Sequence, residues 1–404
     1  MKTRYFQTCV IIASWAFTLS AIGQSSDPFA ARRQIVMEEM GEGCAVLSGS
    51  ATNLFFLTGL KERDATLVLA PQGEVKEVLF CTSGEWDYAK NHASAKVHQA
   101  AEKDNLLSTY VPEDQPTKNI TSIINKMRVI KDAYELQMLK NACQVTAEGL
   151  CEAYRAAKPG VTEKDLAKVM TDGFIKRGSP GTSFLQCASG PNSVNVHFGA
   201  TERKMEAGDM IVFDVGAWWE GYTSDISRAI PVSGRFTKEQ KEIYQVVLNS
   251  QKASIKRMLP GVSFSEVRQV GQDTLIDGLV ELGLVLDKES SWQRSMYFAH
   301  GYQHHIGLAI HDVNGAREYQ PGMVVTMEPG LYFPAGKLER QPRGASDEEY
   351  QAFLAKVGPV YKKYVNMGVR IEDDVLITKT GNEVITAGVP KEIADIEKMM
   401  NEKE

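Results

Sequence analysis

The alternation of apolar and polar positions changes its rhythm along this chain. Between about residues 28 and 118 the apolar runs are short. "CAVLSG", "LFFLTG", "ATLVLAP" and "EVLFCT", mostly closed by Gly or Pro, predict strands. Ahead of them "RRQIVMEEMG" has helical spacing, so a small mixed domain is expected. "YVPEDQPTKN", with two prolines among polar residues, marks its end near residue 118. Beyond it, "IINKMRVIKDAYELQMLKNACQVTAEGLCEAYRAAK" repeats apolar residues in steps of three and four. That pattern predicts a long amphipathic helix, continuous or broken once.

The pattern then repeats itself. "KPGVTEKDL" begins at Lys158 and "LPGVSFSEV" at Leu259; in each, Pro-Gly closes a helix and a Thr or Ser N-cap opens the next, with an acid three residues on. His197 is followed eleven residues later by Gly208 and six after that by Asp214. His311 is followed at the same intervals by Gly322 and Glu328. "AGDMIVFDVG" matches "PGMVVTMEPG" around the two acids. The chain reads as an internal duplication, with halves of about 119–235 and 236–390.

Two strand-like runs in "DMIVFDVGAWWEGYTSDISRAI" flank a Gly-containing turn, which predicts a hairpin. A turn centred between Trp219 and Glu220 puts Asp214 directly opposite Asp225, with Cβ atoms about 4.5–5.5 Å apart. Such a pair needs a cation between its members; otherwise one acid is protonated or merely lines the turn. In the second half Glu328 takes the place of Asp214. In "GVRIEDDVLIT" Glu372 takes the place of Asp225, and strand alternation puts Arg370, Glu372 and Asp374 on one face. Brought together about a pseudo-twofold axis, the halves form a four-carboxylate cluster, which is very costly to bury without cations.

Four carboxylates balance two divalent ions, and an oxygen-rich set with one imidazole suits Mn, Co, Fe or Zn. Two such ions about 3.5–4 Å apart can activate a bridging water. "HGYQHHIGLAIHD", residues 300 to 312, holds four of the seven histidines. His311 pairs with His197 through the duplication, so the two flank the centre. His304 has no counterpart in the first half, which makes it the candidate fifth ligand.

Composition adds limits. The chain has 404 residues, 43% hydrophobic and 24% charged, enough for two or three domains. A net charge of −6 argues against nucleic-acid binding. Lys2 and Arg4 precede the apolar "CVIIASWAFTLSAIG" and a small-residue exit at Ala21 to Gly23. This predicts a signal peptide over 1–23 and a secreted or periplasmic protein, free of the membrane after cleavage; the alternative is an uncleaved anchor. No other stretch approaches the ~20 apolar residues of a membrane span. Five of the six cysteines remain after cleavage of the segment carrying Cys9, and their spacing gives no disulfide framework. The expected domains are 24–118, 119–390 and a C-terminal tail over 391–404.

The series Asp214, Asp225, His304, Glu328, Glu372 resembles the metal ligands of the "pita-bread" metallopeptidases, which include methionine aminopeptidase, aminopeptidase P (Xaa-Pro aminopeptidase) and prolidase. "HxxxHHIGLAIHD", "TMEPGLY" and "VRIEDDVLIT" look most like the aminopeptidase P and prolidase branch. "NLFFLTGLKERDATLVLAP" resembles that branch's extra domain. The resemblance covers most of residues 28–390. It implies an α+β fold: a pita-bread catalytic domain of duplicated halves plus a small α/β N-terminal domain.

By the same resemblance, Asp214 is the bidentate ligand of one metal, Asp225 and Glu372 bridge, and His304 and Glu328 complete the other. Glu328 is also the base for the bridging water, His197 and His311 are substrate-side histidines, and His300 and Arg370 line the pocket. The implied cofactors are two divalent ions, manganese foremost, and relatives are often homodimers or homotetramers. Two departures stand out. The N-terminal domain is short for aminopeptidase P. The 44-residue interval from Glu328 to Glu372 holds a polar insertion, "AGKLERQPRGASDEEYQAFLAKVGPVYKK", expected to cover or edge the cleft. His305 stands where the branch often has an aromatic residue, as a pocket wall or a structural residue. The expected activity is removal of the residue preceding proline from peptides with proline at the second position. The alternative is an Xaa-Pro dipeptidase. Creatinase-like chemistry and a non-catalytic binding protein of the same fold are remoter readings.

Overall fold

A computed structural model describes residues 27–402, apart from 50, 63, 93, 94 and 112. The expected signal peptide, with Cys9, lies outside the described residues. The chain divides into two compact units, Met1–Gln137 and Met138–Glu404. The division falls nineteen residues beyond the expected boundary at 118. The proline-bearing segment instead returns to the first unit, where Thr117 bridges Cys44. Among the described residues no helix is long and apolar enough to cross a membrane.

The first unit runs α1 (Pro28–Met40), β1 (Ala45–Ser48), α2 (Ala51–Thr58), β2 (Thr66–Leu69), β3 (Glu77–Cys81), α3 (Trp86–His92), β4 (Lys96–Gln99), α4 (Lys103–Tyr110) and α5 (Thr121–Val129). Asp27 caps α1 by accepting from the Phe29 and Ala30 amides, and Pro28 fits the first helical position. The sheet order is β1-β2-β3-β4, with β3 and β4 parallel and the other pairs antiparallel.

"LFFLTG", expected as a strand, is the helix α2. A short apolar run does not distinguish a buried helix from a strand by periodicity. Here Leu54, Phe56 and Leu57 are all buried. Gly59, at φ +72°, ends the helix where any Cβ would strike the Phe29 ring. Arg32 and Arg33 of α1 are fully buried and donate to the last carbonyls of α2, Phe56 O at 2.9 Å and Leu57 O at 2.8 Å. The fourth strand is β4, short and half-buried, which carries too little apolar alternation to stand out.

The helix expected from residue 119 is broken once, between α5 and α6 (Ala133–Ala156). Asp132 and Glu135 cap each other's amides at the break, and Arg32 binds both, with Asp132 at 2.7 Å and Glu135 at 3.6 Å. Burial drives the Glu135 carboxyl up to about 7 in spite of Arg32.

After α6 come α7 (Glu163–Lys176), β5 (Thr182–Ser189), β6 (Met210–Trp219), β7 (Tyr222–Thr223), β8 (Ile226–Pro231), α8 (Lys238–Arg257), α9 (Phe264–Glu281), α10 (Ser291–Ser295), β9 (Val324–Met327), β10 (Gly330–Tyr332), α11 (Asp347–Tyr361), β11 (Gly368–Arg370), β12 (Asp373–Ile377), β13 (Asn382–Val384) and α12 (Ile393–Asn401). The duplication is visible in this unit. Thr162 caps α7 and Ser263 caps α9, as the paired Pro-Gly motifs predict. Each cap residue also bridges a residue ten places before its half's acid, Lys204 ahead of Asp214 and Glu318 ahead of Glu328.

Two segments of the second half are more ordered than their sequences announce. The polar insertion is largely helical: Tyr350, Phe353 and Val357 of α11 enter the main core against Trp292. The C-terminal tail ends in α12, whose Ile396 is fully buried in that core.

Candidate metal centre

The hairpin turn sits one residue later than expected. Glu220 (φ 45°) and Gly221 (φ 83°) form a two-residue turn with both φ positive, the geometry that matches strand twist. Trp219 therefore pairs with Tyr222, and Asp214 faces Ser227, not Asp225. Continuing that register puts Asp225 opposite Gly216. The correction moves the pairing by two positions, so both acids stay on one face of the sheet.

In the second half β9 pairs with β12 and β10 with β11 in one continuous register. That register sets Glu328 across from Glu372, each at a break between consecutive strands. Residues 302–306 lie along β9, with His305 bridging Val325 and the Thr326 amide donating to His304 O at 2.9 Å. This seat brings His304 to the acids.

The His304 Nε2 atom lies 3.4 Å from Asp225 Oδ2, 3.6 Å from Glu328 Oε1 and 3.8 Å from Glu372 Oε1. Ligand atoms of Asp225, His304 and Glu372 all fall within 4.8 Å of one another. The other ring nitrogen, Nδ1, is 3.1 Å from the His305 carbonyl, which turns Nε2 toward the carboxylates. Asp214 joins through Ser227, whose Oγ is 2.7 Å from both Asp214 Oδ1 and Glu372 Oε2. Arg370 Nη2 is 2.5 Å from Asp214 Oδ2, and its Nε donates to Ser227.

Whether the site fits metal can be judged from its unmet needs. The Ser227 hydroxyl has one proton for two carboxylates. Asp225 Oδ1 and Glu372 Oε1 are buried without a hydrogen-bond donor among the described residues. Burial, then neighbouring acids, raise the carboxyl pKa values of Asp225 and Glu372 well above the usual range. Burial lowers that of His304 and keeps its imidazole neutral, the form that binds metal. Four acids, one neutral imidazole and orphaned oxygens together suit divalent cations.

The remaining predicted residues surround this cluster. His300 Nδ1 is 3.3 Å from Glu328 Oε2, and its Nε2 is 2.9 Å from the Tyr332 hydroxyl. That hydroxyl accepts from Arg370 Nη1 at 2.9 Å, so Tyr332 links the two predicted pocket residues. The His311 ring is exposed and packs edge-on to His304, centroids 4.3 Å apart. His197 is exposed on a loop held from both sides. Arg370 binds Val196 O, while Gln186, paired with Asp214 across β5 and β6, binds Asn195 O and the Phe198 amide. His305 is buried against the Phe264 ring.

Sequence reasoning missed Ser227, Gln186 and Tyr332. The Tyr332 position was within reach, because β10 follows Glu328 directly and pairs with the strand carrying Arg370.

The sequence model of metallopeptidase family M24 matches residues 137–379, a span that contains every residue named in this centre. An Xaa-Pro aminopeptidase of Escherichia coli (strain K12) is 32% identical over 337 residues, covering 80% of this chain and 70% of that protein. A Homo sapiens Xaa-Pro dipeptidase is 30% identical over 306 residues, 69% of this chain and 61% of that one. A solved structure of Zn-substituted E. coli aminopeptidase P in complex with product is similar at a TM-score of 0.80 and 28% identity, over 92% of this chain and 97% of that one. The chain belongs to metallopeptidase family M24: it is a divalent-metal hydrolase on the pita-bread fold.

Proposed function

We propose that this enzyme is an Xaa-Pro aminopeptidase, releasing the first residue of peptides whose second residue is proline. The observation that carries the reading is the acid cluster around His304, with buried oxygens that lack a donor among the described residues and the exposed His311 ring packed on His304. The similarity to the E. coli Xaa-Pro aminopeptidase over most of both chains supports the substrate class.

Asp214, Asp225, His304, Glu328 and Glu372 hold two divalent ions, manganese in our reading. When bound, the ions lower the pKa of a water and polarise the scissile carbonyl. Glu328 turns one oxygen to His304 and the other to His300, and it takes the proton of the attacking water. The bond before proline is a tertiary amide, whose nitrogen must gain a proton to leave. His311 and His197, exposed at the rim, assist that transfer and orient the substrate carbonyl. Arg370, fixed by Asp214, Ser227 and Tyr332, ties the His197 loop to the centre through Val196 O. We further propose that residues 1–23 direct export and that the enzyme works outside the cytoplasm.

The test is a panel of Xaa-Pro dipeptides, tripeptides and longer peptides, assayed with added manganese. Release of Xaa from Xaa-Pro-Yaa, abolished by Glu328→Gln, is expected. No release, or unchanged turnover in Glu328→Gln, would overturn the reading. A strong preference for dipeptides would make the enzyme a prolidase, as the likeness to the human dipeptidase allows.

A further inference from the structure

We propose that Asp374 is a positioning residue for the metal centre, acting through the main chain of Asp225. The inference rests on Asp225 being a metal ligand.

Asp225 sits where the sheet lets go of its chain. Residues 224 and 225 separate β7 from β8, so no ladder bond fixes the peptide that carries this carboxylate. Side chains from other elements take over. The Asp225 amide donates to Asp374 Oδ2 at 3.0 Å, across from β12. Cys143 of α6 donates its S–H to the same oxygen at 3.4 Å. One turn on, Thr146 gives its own proton to Ala142 O, so the Ser224 hydroxyl, 2.6 Å away, donates to Thr146. Gly216 leaves room on the open side, where a Cβ would run into the Ser224 carbonyl.

The contrast with its neighbour explains why Asp374 is more than filling. Asp373 is equally buried but neutralised, with Arg228 at 2.7 Å and Lys391 at 2.6 Å. Asp374 has no ion-pair partner among the described residues, and its Oδ1 is buried without a donor. A carboxyl in that setting is costly. What it provides is one acceptor for the Asp225 N–H. Without it, the 224–225 peptide keeps the Thr223 hydroxyl on its carbonyl, at 3.1 Å, but loses the bond on its N–H, and Asp225 Oδ2 is expected to leave its place 3.4 Å from His304. Thr386 completes the arrangement by accepting from the Asp374 amide at 3.1 Å.

The experiment measures manganese affinity of the full chain by competition with a fluorescent chelator, alongside the thermal midpoint of chelated protein. Variants are Asp374→Ala, Asp374→Asn and Cys143→Ala, with Asp225→Asn as reference. Removing an outer-shell partner costs about 10–100-fold in metal affinity, and Asp374→Ala should lose that much. Asp374→Asn keeps an oxygen for the amide, so its affinity should return close to the unaltered value even if its thermal midpoint falls. Cys143→Ala should weaken binding severalfold. A merely structural role would lower midpoints and leave affinities alone, which overturns the inference. So does an Asn variant as weak as the Ala variant, since charge would then be the cause. Should Asp374→Ala fail to fold, unchanged affinity in Cys143→Ala refutes it. Full metal binding by Asp225→Asn would instead overturn the reading of the site itself.

Discussion

Arg370→Met is the sharpest probe of the charge balance at the centre. Arg370 is 2% exposed, and its guanidinium is the cation paired with Asp214. In metal-free protein its removal strands Asp214 beside Glu372, the two sharing the single Ser227 hydroxyl proton. Deleting one member of a buried pair costs about 3–5 kcal/mol. At about 2 °C per kcal/mol for a unit of roughly 250 residues, the chelated variant should melt about 6–10 °C below the parent. With saturating manganese the ions supply the missing charge. What remains lost are the bonds to Val196 O, Ser227 and Tyr332, a net of about 1–2 kcal/mol, or about 2–4 °C. Thermal melts of parent and variant, each with chelator and with manganese at pH 8, give the four midpoints. Equal drops in the two conditions would refute the reasoning, because Arg370 and the metals would then not share the task of balancing these acids.

His304→Ala should lose bound metal, whereas His311→Ala should keep it and lose turnover; metal analysis and initial rates separate the two, and a reversed pattern would undo the assignment. Glu135→Gln concerns pH. The Glu135 carboxyl is raised from 4.5 to about 7 in the fold, so its stabilising contribution is complete below about pH 4.5 and is lost as pH rises through about 7. Relative to the Gln variant the parent should therefore lose about 2.5 kcal/mol between pH 5 and pH 8 in excess chelator; a flat difference in denaturant titrations would contradict this. Gly216→Ala should push the Ser224 carbonyl aside and weaken manganese binding, and an unchanged dissociation constant would show that the close approach there is not needed.

Asp214 and Glu328 stood out as candidate ligands because they recur at fixed intervals after His197 and His311, whereas Asp225 and Glu372, 11 and 44 residues further on, stood out by their strand context. His304 was legible for the opposite reason, as the member without a counterpart. The register was misjudged because the turn depends on two positive φ angles, and only Gly221 announces that in the sequence. The run "LFFLTG" misled because it is apolar throughout, which removes the period that separates helix from strand. The contacts of Ser227 and Asp374 with the acids were hidden for another reason. Their partners lie 145 and 149 positions away in the chain, at Glu372 and Asp225, and no local pattern encodes such meetings. The boundary near 118 follows the composition, whereas the division at 137 follows the return of Thr117 and α5 to the first unit.

Three of the four acids, Asp225, Glu328 and Glu372, stand at gaps between strands, and only Asp214 lies inside one. The second half sets Glu328 against Glu372 by itself, and the meeting of the two halves adds Asp225 and Asp214 to that pair. During synthesis Asp214 emerges long before Glu372, and Asp225 lacks its brace until residue 374 has followed. If these acids hold the metals as we propose, no complete site exists until residue 372 has been made, and metal is acquired late in folding.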